Sequence, residues 1–336
     1  MNATVLSPGT GFGLVLCAAA LFGTLGPTSR FAYDAGMEPA AFVVWRALIG
    51  VAGTLAFIAW RLSRGSRSLI RMGSLPPRVR VTLLVAALMG FSVNLCMFIA
   101  FDRITVALAL LGFYTYPAVV ALVNVALGRE RLDAPRLVAL GLALLGMVAV
   151  VASQIDPVTG LRIDAAGFGL AIGAALSQAV FVVISREGYR EVSTEQAMTT
   201  VLVVTVLGAS VLSIATGHAE ALVRPIVEPS VVPLLLFTGI FGAAIPSLAF
   251  LAGIRAIGGT RAGILMLFEP VVGVLLAAWL LAEALVPIQV VGALAILGAA
   301  VILQRGSSGG IPVDGTGTGS GIAADDVLAI HVPGGP

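Results

Sequence analysis

Lysine is missing from this sequence, and charged residues of both signs make up only 11% of its 336 residues. Soluble domains carry roughly 25% charged residues, which argues against a water-soluble enzyme. All 19 basic residues are arginines, the net charge is only +2, and no basic stripe with interleaved aromatic residues occurs. A nucleic-acid surface needs such a stripe, so we expect no nucleic-acid partner.

The residues of metal, redox and nucleotide chemistry are also scarce. The two cysteines, Cys17 and Cys96, lie in apolar stretches and indicate neither a disulfide nor a metal framework. The sequence has no His-Glu-x-x-His motif and no Gly-x-x-x-x-Gly-Lys loop, and its only adjacent aspartates are Asp325 and Asp326 in the tail. We therefore expect no metal, no cofactor and no catalytic residue, and an intramembrane enzyme is the least favoured class.

Apolar residues dominate instead: they make up 59% of the chain, and its mean hydropathy is +1.07. A helix needs roughly 20 apolar residues to cross a hydrocarbon layer ~30 Å thick. Dividing the apolar runs at charges, glycines and prolines predicts an all-α integral membrane protein. Ten transmembrane helices are expected, at residues 12–32, 40–60, 81–101, 105–127, 135–153, 166–186, 195–216, 231–254, 260–281 and 287–304.

The arginines are distributed unevenly between the two sides of this arrangement. Loops on the side that carries both termini hold 14 arginines, six of them in the stretch 61–80, whereas loops on the other side hold four. Positively charged loops stay in the cytoplasm. We therefore expect a multi-pass protein of a bacterial inner membrane with both termini cytoplasmic. The first ten residues lack the positive segment of a signal peptide, so we expect no cleavage.

The chain also repeats itself at an offset near 155 residues. The Gly-Phe-Gly-Leu run at 11–14 recurs at 167–170, and Tyr116 corresponds to Glu269. Each copy has five helices, so the second copy enters the membrane from the opposite face and the repeat is inverted. Inverted repeats place a binding site near the membrane midplane and expose it alternately to each side. The sequence thus favours a transporter.

This repeat sets the expected organisation of the chain. Residues 1–10 form a short cytoplasmic N-terminus, 11–153 the first repeat, 154–164 an external linker and 165–304 the second repeat. The Gly- and Ser-rich segment 305–336 has too few apolar residues to bury a core. We expect it to be a disordered cytoplasmic tail.

Two segments carry a resemblance to a known family. The run from Trp45 to Gly50 in the second helix, and the stretch from Phe268 to Gly298, resemble the drug/metabolite transporter superfamily, EamA type. The resemblance covers residues 11–304. It implies a ten-helix inverted-repeat fold that moves small metabolites, often outward, including amino acids and related compounds.

Glu269 is the sharpest candidate for a binding residue. It lies eight residues from Arg261, or ~12 Å along a helix axis. A carboxylate at that depth costs on the order of 3 kcal/mol unless it faces a cavity or a partner, or accepts a proton. In one interpretation Glu269 binds a substrate ammonium or trades a proton during the transport cycle, and in the second case the proton would be the coupling ion. In the other, a protonated Glu269 hydrogen-bonds a neighbouring helix for structure alone.

Three prolines predict interrupted helices. Pro27, Pro117 and Pro270 lack an N–H, so the carbonyl four residues before each one loses its helical donor. Broken helices are expected around a midplane site, where the freed carbonyls can bind substrate. A packing kink explains the same prolines equally well.

Arg46 leaves three interpretations open. Its guanidinium snorkels to the membrane interface, grips a substrate carboxylate, or pairs with Glu269. Together, Arg46 and Glu269 would suit a zwitterion such as an amino acid. The positions that match them in the other half hold Leu202 and Tyr116, so the chemistry of the site breaks the two-fold symmetry of the repeat.

Other polar and aromatic residues inside the apolar helices complete the predicted substrate site, although hydrogen bonds between helices explain such residues as readily. They are Tyr116, Gln178, Asn94, Tyr114 and Ser247. The sequence as a whole predicts a secondary-active or facilitative transporter that exports a small-molecule substrate by alternating access, with membrane lipid around it. A passive channel or a non-transport membrane protein is the alternative.

Overall fold

The computed structural model describes residues 6–65, 69–129, 133–153, 164–280 and 285–308, and the side chains of all of these except 277–280 and 306–308. Within these ranges the chain forms helices and no strands. Ten helical spans are long and apolar enough to cross a membrane: α1 Pro8–Asp34, α2 Pro39–Ser63, α3 Pro77–Arg103, α4 Val106–Ala126, α5 Ala134–Ala152, α6 Ala165–Ser185, α7 Thr194–Ala215, α8 Pro229–Ile257, α9 Gly259–Leu276 and α10 Pro287–Arg305. The predicted all-α fold with ten transmembrane helices is confirmed. The expected linker, apart from Asp164, and the tail beyond 308 lie outside the described residues.

Local sequence explains where several spans begin. Pro39 and Pro77 occupy first-turn positions, where proline costs no helical hydrogen bond. Asp164 caps α6 by accepting from the backbone N–H groups of Ala166 and Gly167. Arg103, at the end of α3, donates a hydrogen bond to the Asp164 carboxyl and lowers its pKa. This hydrogen bond joins the start of α6 to the end of α3.

Three spans are interrupted just before the prolines at 27, 117 and 270. The interruptions divide α1 into Pro8–Phe22 and Leu25–Asp34, α4 into Val106–Phe113 and Tyr116–Ala126, and α9 into Gly259–Met266 and a second part that begins at Glu269. Those in α4 and α9 begin at Tyr114 and Leu267, 153 positions apart. They therefore occupy the same place in the two copies of the repeat.

The two halves, α1–α5 and α6–α10, are related by an inverted two-fold arrangement. Span α1 packs against α8 just as α3 packs against α6, while α2 meets α7 and α5 meets α10. Close contacts repeat as well. A Cβ on Gly11 would lie 2.7 Å from Cγ2 of Ile257, and a Cβ on Gly167 would lie 2.8 Å from Cγ2 of Ile104. The Gly-Phe-Gly-Leu run thus marks the same helix crossing in each half.

Spans α5 and α10 form a separate pair. They approach so closely that a Cβ on either Gly146 or Gly292 would lie 2.6 Å from the carbonyl oxygen of the other, a small-residue crossing typical of membrane helices. The other eight spans supply the residues around the central cavity. The fold therefore places its site between the halves and away from the α5–α10 pair.

Candidate functional site

A cavity of about 130 Å³ lies between the two halves. A buried water needs ~10–15 Å³ on this measure, so the space corresponds to a small metabolite. Most of its wall is apolar and rich in aromatic and methionine side chains. The lining residues are Phe22, Leu25, Arg46, Gly90, Val93, Asn94, Met97, Phe98, Phe101, Leu110, Phe113, Tyr116, Gln178, Phe181, Met198, Val201, Leu202, Ala243, Ser247, Phe250, Met266 and Glu269.

Most of this wall consists of residue pairs that the repeat relates. At offsets of 153 and 156, the pairs are Gly90 and Ala243, Asn94 and Ser247, Met97 and Phe250, Phe113 and Met266, Tyr116 and Glu269, Phe22 and Gln178, Leu25 and Phe181, and Arg46 and Leu202. The cavity thus lies on the axis that exchanges the halves. Its charges do not follow that symmetry, because the guanidinium comes only from the first half and the carboxyl only from the second.

Glu269 opens the second part of the broken span α9 and is partly exposed toward the cavity. The phenols of Tyr114 and Tyr116 lie near its carboxyl. Both hydroxyl oxygens are buried without a hydrogen bond of ordinary geometry. Among the described residues, no ion pair reaches Glu269. The carboxyl therefore sits beside two buried phenols, of which Tyr114 interacts with it directly.

Arg46 is only 2% exposed. Its Nη1 donates to the carbonyl oxygen of Gly242 at 2.7 Å, and its Nη2 donates to Oδ1 of Asn94. The guanidinium carbon lies 4.8 Å from the ring centroid of Phe98, a cation–π geometry. Nδ2 of Asn94 donates in turn to the Gly90 carbonyl at 2.7 Å. This second hydrogen bond fixes the orientation of the Asn94 amide, with Oδ1 toward Arg46.

Two of the three interpretations of Arg46 are wrong in this structure. Snorkelling is excluded, because the guanidinium is buried between helices and bonded to Gly242 and Asn94 rather than directed to an interface. Pairing with Glu269 is also absent from the described part of the chain. Depth counted along one helix axis fixes neither the direction of a side chain nor its partner. The grip on a substrate carboxylate remains a hypothesis.

The structure brings together six of the seven side chains in the predicted substrate site. Arg46, Asn94, Tyr116, Gln178, Ser247 and Glu269 line the cavity. Tyr114 lies behind this wall, fully buried beside Glu269.

Sequence reasoning missed two parts of the site: the aromatic and methionine wall, and the break in α8 that Arg46 caps. Hydropathy does not separate a cavity wall from a packed core, since both are apolar. The sequence does contain a signal for the break, because Pro246, like Pro27, Pro117 and Pro270, frees the carbonyl four residues before it.

Repeat-related tyrosines stand toward the two faces of the bundle. The hydroxyl of Tyr33 donates to the carbonyl of Phe98, a cavity-lining residue, at 3.0 Å. Its counterpart Tyr189 lies 2.5 Å from the hydroxyl of Ser185 and 5.3 Å beneath the guanidinium of Arg255. Burial raises the pKa of the Tyr189 hydroxyl, so it stays neutral. The two repeat-related tyrosines therefore have different partners.

Replacing Tyr116 by phenylalanine tests whether its hydroxyl serves a ligand rather than the fold. A buried hydroxyl without a partner costs ~1–3 kcal/mol, so we expect Tyr116→Phe to leave the substrate-free protein as stable or up to about 1 kcal/mol more stable. The matched control is Tyr33→Phe, which loses a real hydrogen bond and about 1 kcal/mol. Thermal unfolding in detergent measures both; an equal loss in the two variants would contradict a ligand role.

The fold and the cavity indicate the general class of protein, and the match to a family model then gives the family. A bundle of two inverted five-helix repeats, with broken helices around a central cavity that one guanidinium and one carboxyl line, is an architecture typical of membrane transporters. The EamA-like transporter family matches the chain twice, over residues 9–152 and 165–305. The chain therefore belongs to the EamA-like transporter family.

Solved structures show the same fold. One of them, described only as "Crystal structure of protein", matches with a TM-score of 0.70 at 21% sequence identity and covers 89% of this chain and 98% of its own. That identity supports a shared fold and nothing finer. A search of curated proteins gave no match.

Proposed function

We propose that this transporter carries small zwitterionic metabolites, amino acids or related compounds, by alternating access and in the outward direction. The observation that carries the proposal is the cavity on the repeat axis, with one guanidinium from the first half and one unpaired carboxyl from the second. A zwitterion presents one ammonium and one carboxylate to these two groups. Its apolar part would meet the aromatic and methionine wall.

The carboxyl of Glu269 supports coupling to protons. Leaving a buried charge unpaired costs several kcal/mol, so Glu269 needs either a proton or a cation whenever the cavity is closed. A substrate ammonium and a proton compete for the same oxygens. Binding of cargo then releases the proton, and departure of cargo restores it, which is proton antiport. The phenols of Tyr114 and Tyr116 would stabilise whichever occupant is present.

The distribution of arginines supports the proposed orientation. The loops on the side of both termini, together with the helix ends that adjoin them, hold 14 of the 19 arginines, and positively charged segments of this kind stay in the cytoplasm. In a bacterial inner membrane, both ends of the chain would then lie in the cytoplasm. An inward proton gradient would then drive cargo outward through the exchange at Glu269.

Counterflow in vesicles tests the proposal against a passive channel. We expect that vesicles containing purified protein and preloaded with unlabelled amino acid take up the labelled compound several times faster than empty vesicles, because a carrier returns faster when loaded. Candidate compounds come from a thermal-shift screen, since a ligand that binds the folded state raises its melting temperature. An open pore shows no such stimulation. Equal rates in loaded and empty vesicles would support the channel.

A further inference from the structure

Span α8 contains a fourth break, different from the other three. Residues Ile240–Ala244 form a π-helical segment, and Pro246 follows it. Because Pro246 has no N–H, the carbonyl of Gly242 lacks its α-helical donor. Single π-helical turns inside α-helices are frequent at functional sites. Here the freed carbonyl belongs to the segment that contributes Ala243 to the cavity wall.

The donor for this carbonyl comes from the other half of the molecule. Nη1 of Arg46, on α2, reaches the Gly242 oxygen at 2.7 Å, while Nη2 holds Asn94 on α3. Hydrogen bonds from a charged donor are roughly twice as strong as neutral ones. One buried cation therefore joins α2 and α3 to the broken part of α8. We call Arg46, Asn94 and the Gly242 carbonyl freed by Pro246 the Arg46 latch.

The latch has no counterpart at the repeat-related place. Leu202 stands where a second Arg46 would be, and Val93 stands where a second Pro246 would be. When an inverted-repeat carrier changes conformation, the halves exchange roles. A contact that the repeat duplicates can reform after that exchange, but a unique contact cannot. The latch therefore favours one of the two conformations.

The latch also limits what Arg46 can offer to a ligand. Arg46 is 2% exposed, whereas Asn94, Gln178 and Glu269 are partly exposed in the cavity. Both terminal nitrogens of Arg46 are engaged, and its Nε is buried without a partner. An acceptor on the cargo gains the guanidinium fork only by displacing the Gly242 carbonyl.

We propose that the Arg46 latch holds α2 to α8 in the present conformation and that a cargo carboxylate releases it by taking the guanidinium from the Gly242 carbonyl. This inference rests on the alternating access and zwitterionic cargo proposed above. It assigns Asn94 and Pro246 as positioning residues that act through Arg46. It also makes the binding of cargo and the parting of the two halves a single event.

A double-mutant cycle in melting temperature tests the latch itself. Arg46→Leu introduces the side chain that the repeat-related position, Leu202, already carries. Pro246→Ala restores the backbone N–H that can donate to the Gly242 carbonyl. We expect Arg46→Leu to lower the melting temperature by on the order of 5 °C in the native background and by half as much or less when Pro246 is alanine. With Pro117→Ala, whose freed carbonyl Arg46 does not bind, the two losses should add.

Equal losses from Arg46→Leu in the native and Pro246→Ala backgrounds would overturn the latch. If Arg46→Leu does not yield folded protein, Arg46→Lys takes its place in the same cycle. A single ammonium cannot hold both the Gly242 carbonyl and Asn94, so we expect a smaller loss with the same dependence on Pro246. Independence from Pro246 would again reject the contact.

Labelling from the two sides of the membrane tests what the latch does. In a Cys17→Ala, Cys96→Ala background, Ser247→Cys places a thiol in the cavity, and an impermeant maleimide is added on either side of the vesicles. We expect both Arg46→Leu and Pro246→Ala to change the ratio of the two labelling rates about tenfold, a size typical of coupling between sites. A ratio that neither variant changes would show that the latch does not bias access.

The two experiments separate failure of the latch from failure of the proposed function. Labelling of Ser247→Cys from a single side in every variant, and with every metabolite added, contradicts alternating access and with it the release step. The melting cycle involves no transport, so it judges the Arg46–Gly242 contact alone. Coupling in the cycle together with a shifted labelling ratio supports both.

Discussion

Transport by the Glu269→Gln variant is expected to fall at least about 100-fold and to lose its dependence on a pH gradient. The amide can neither pair with a cargo ammonium nor exchange a proton. Loss of one partner from a buried charge pair costs ~3–5 kcal/mol, and each ~1.4 kcal/mol is a factor of ten in binding. Uptake of labelled amino acid into vesicles, with and without an imposed pH gradient, measures both effects. An unchanged gradient dependence would end the antiport proposal.

The chain offers a matched control for this variant. Glu195 is a buried carboxyl, 4% exposed, and it pairs with Arg61 at the start of α7. Glu195→Gln should therefore lower the melting temperature, because it removes the ion pair with Arg61, but it should keep the gradient dependence. If both variants lose that dependence equally, the effect reports damage to the bundle rather than chemistry at Glu269.

The membrane fold follows from the sequence because lipid permits few alternatives. Backbone polar groups cannot remain unpaired in hydrocarbon, so each long apolar run has to be a helix. The ten predicted spans consequently agree with the observed ones to within a few residues at most of their ends. The repeat could be found from a short run such as residues 11–14, since close helix crossings require small residues at fixed places, as Gly11 and Gly167 show.

The partners inside the site could not be predicted in the same way. Spacing along α2 gives the depth of Arg46, but only the packing of α2 against α8 places it beside Gly242. A local rule was available there, because a proline at 246 frees the carbonyl of residue 242 whatever the fold. Which cation caps that carbonyl depends on contacts between distant segments. Those contacts are absent from any local pattern.

The two halves contribute different charged residues to the cavity, and this difference would orient a bound zwitterion. The apolar residues of the cavity wall are nearly symmetric between the halves. At two repeat-related pairs of positions, however, one half has arginine where the other has leucine, and one has glutamate where the other has tyrosine. A fully symmetric wall would bind a zwitterion equally well in two opposite orientations. With the proposed cargo, the asymmetric pair would select one orientation, with the ammonium toward the second half and the carboxylate toward the first.

The Arg46→Ala variant is expected to transport a zwitterion about 100-fold more slowly, since truncating one partner of a buried charge pair costs ~2–5 kcal/mol. Arg46 has two roles in this account, binding the cargo carboxylate and holding the latch, and a single rate does not separate them. The decarboxylated amine that matches the amino acid does separate them. It keeps the ammonium for Glu269 and lacks the group that Arg46 would bind.

Loss of the latch changes the conformational balance for both compounds alike, whereas loss of the carboxylate contact affects the zwitterion only. We therefore expect the ratio of zwitterion to amine transport to fall at least about tenfold in Arg46→Ala, as a buried charge contact is removed. The same ratio should stay unchanged in Pro246→Ala, which disturbs the latch and leaves the guanidinium in place. Equal uptake of the zwitterion by Arg46→Ala and native vesicles would remove Arg46 from the binding site.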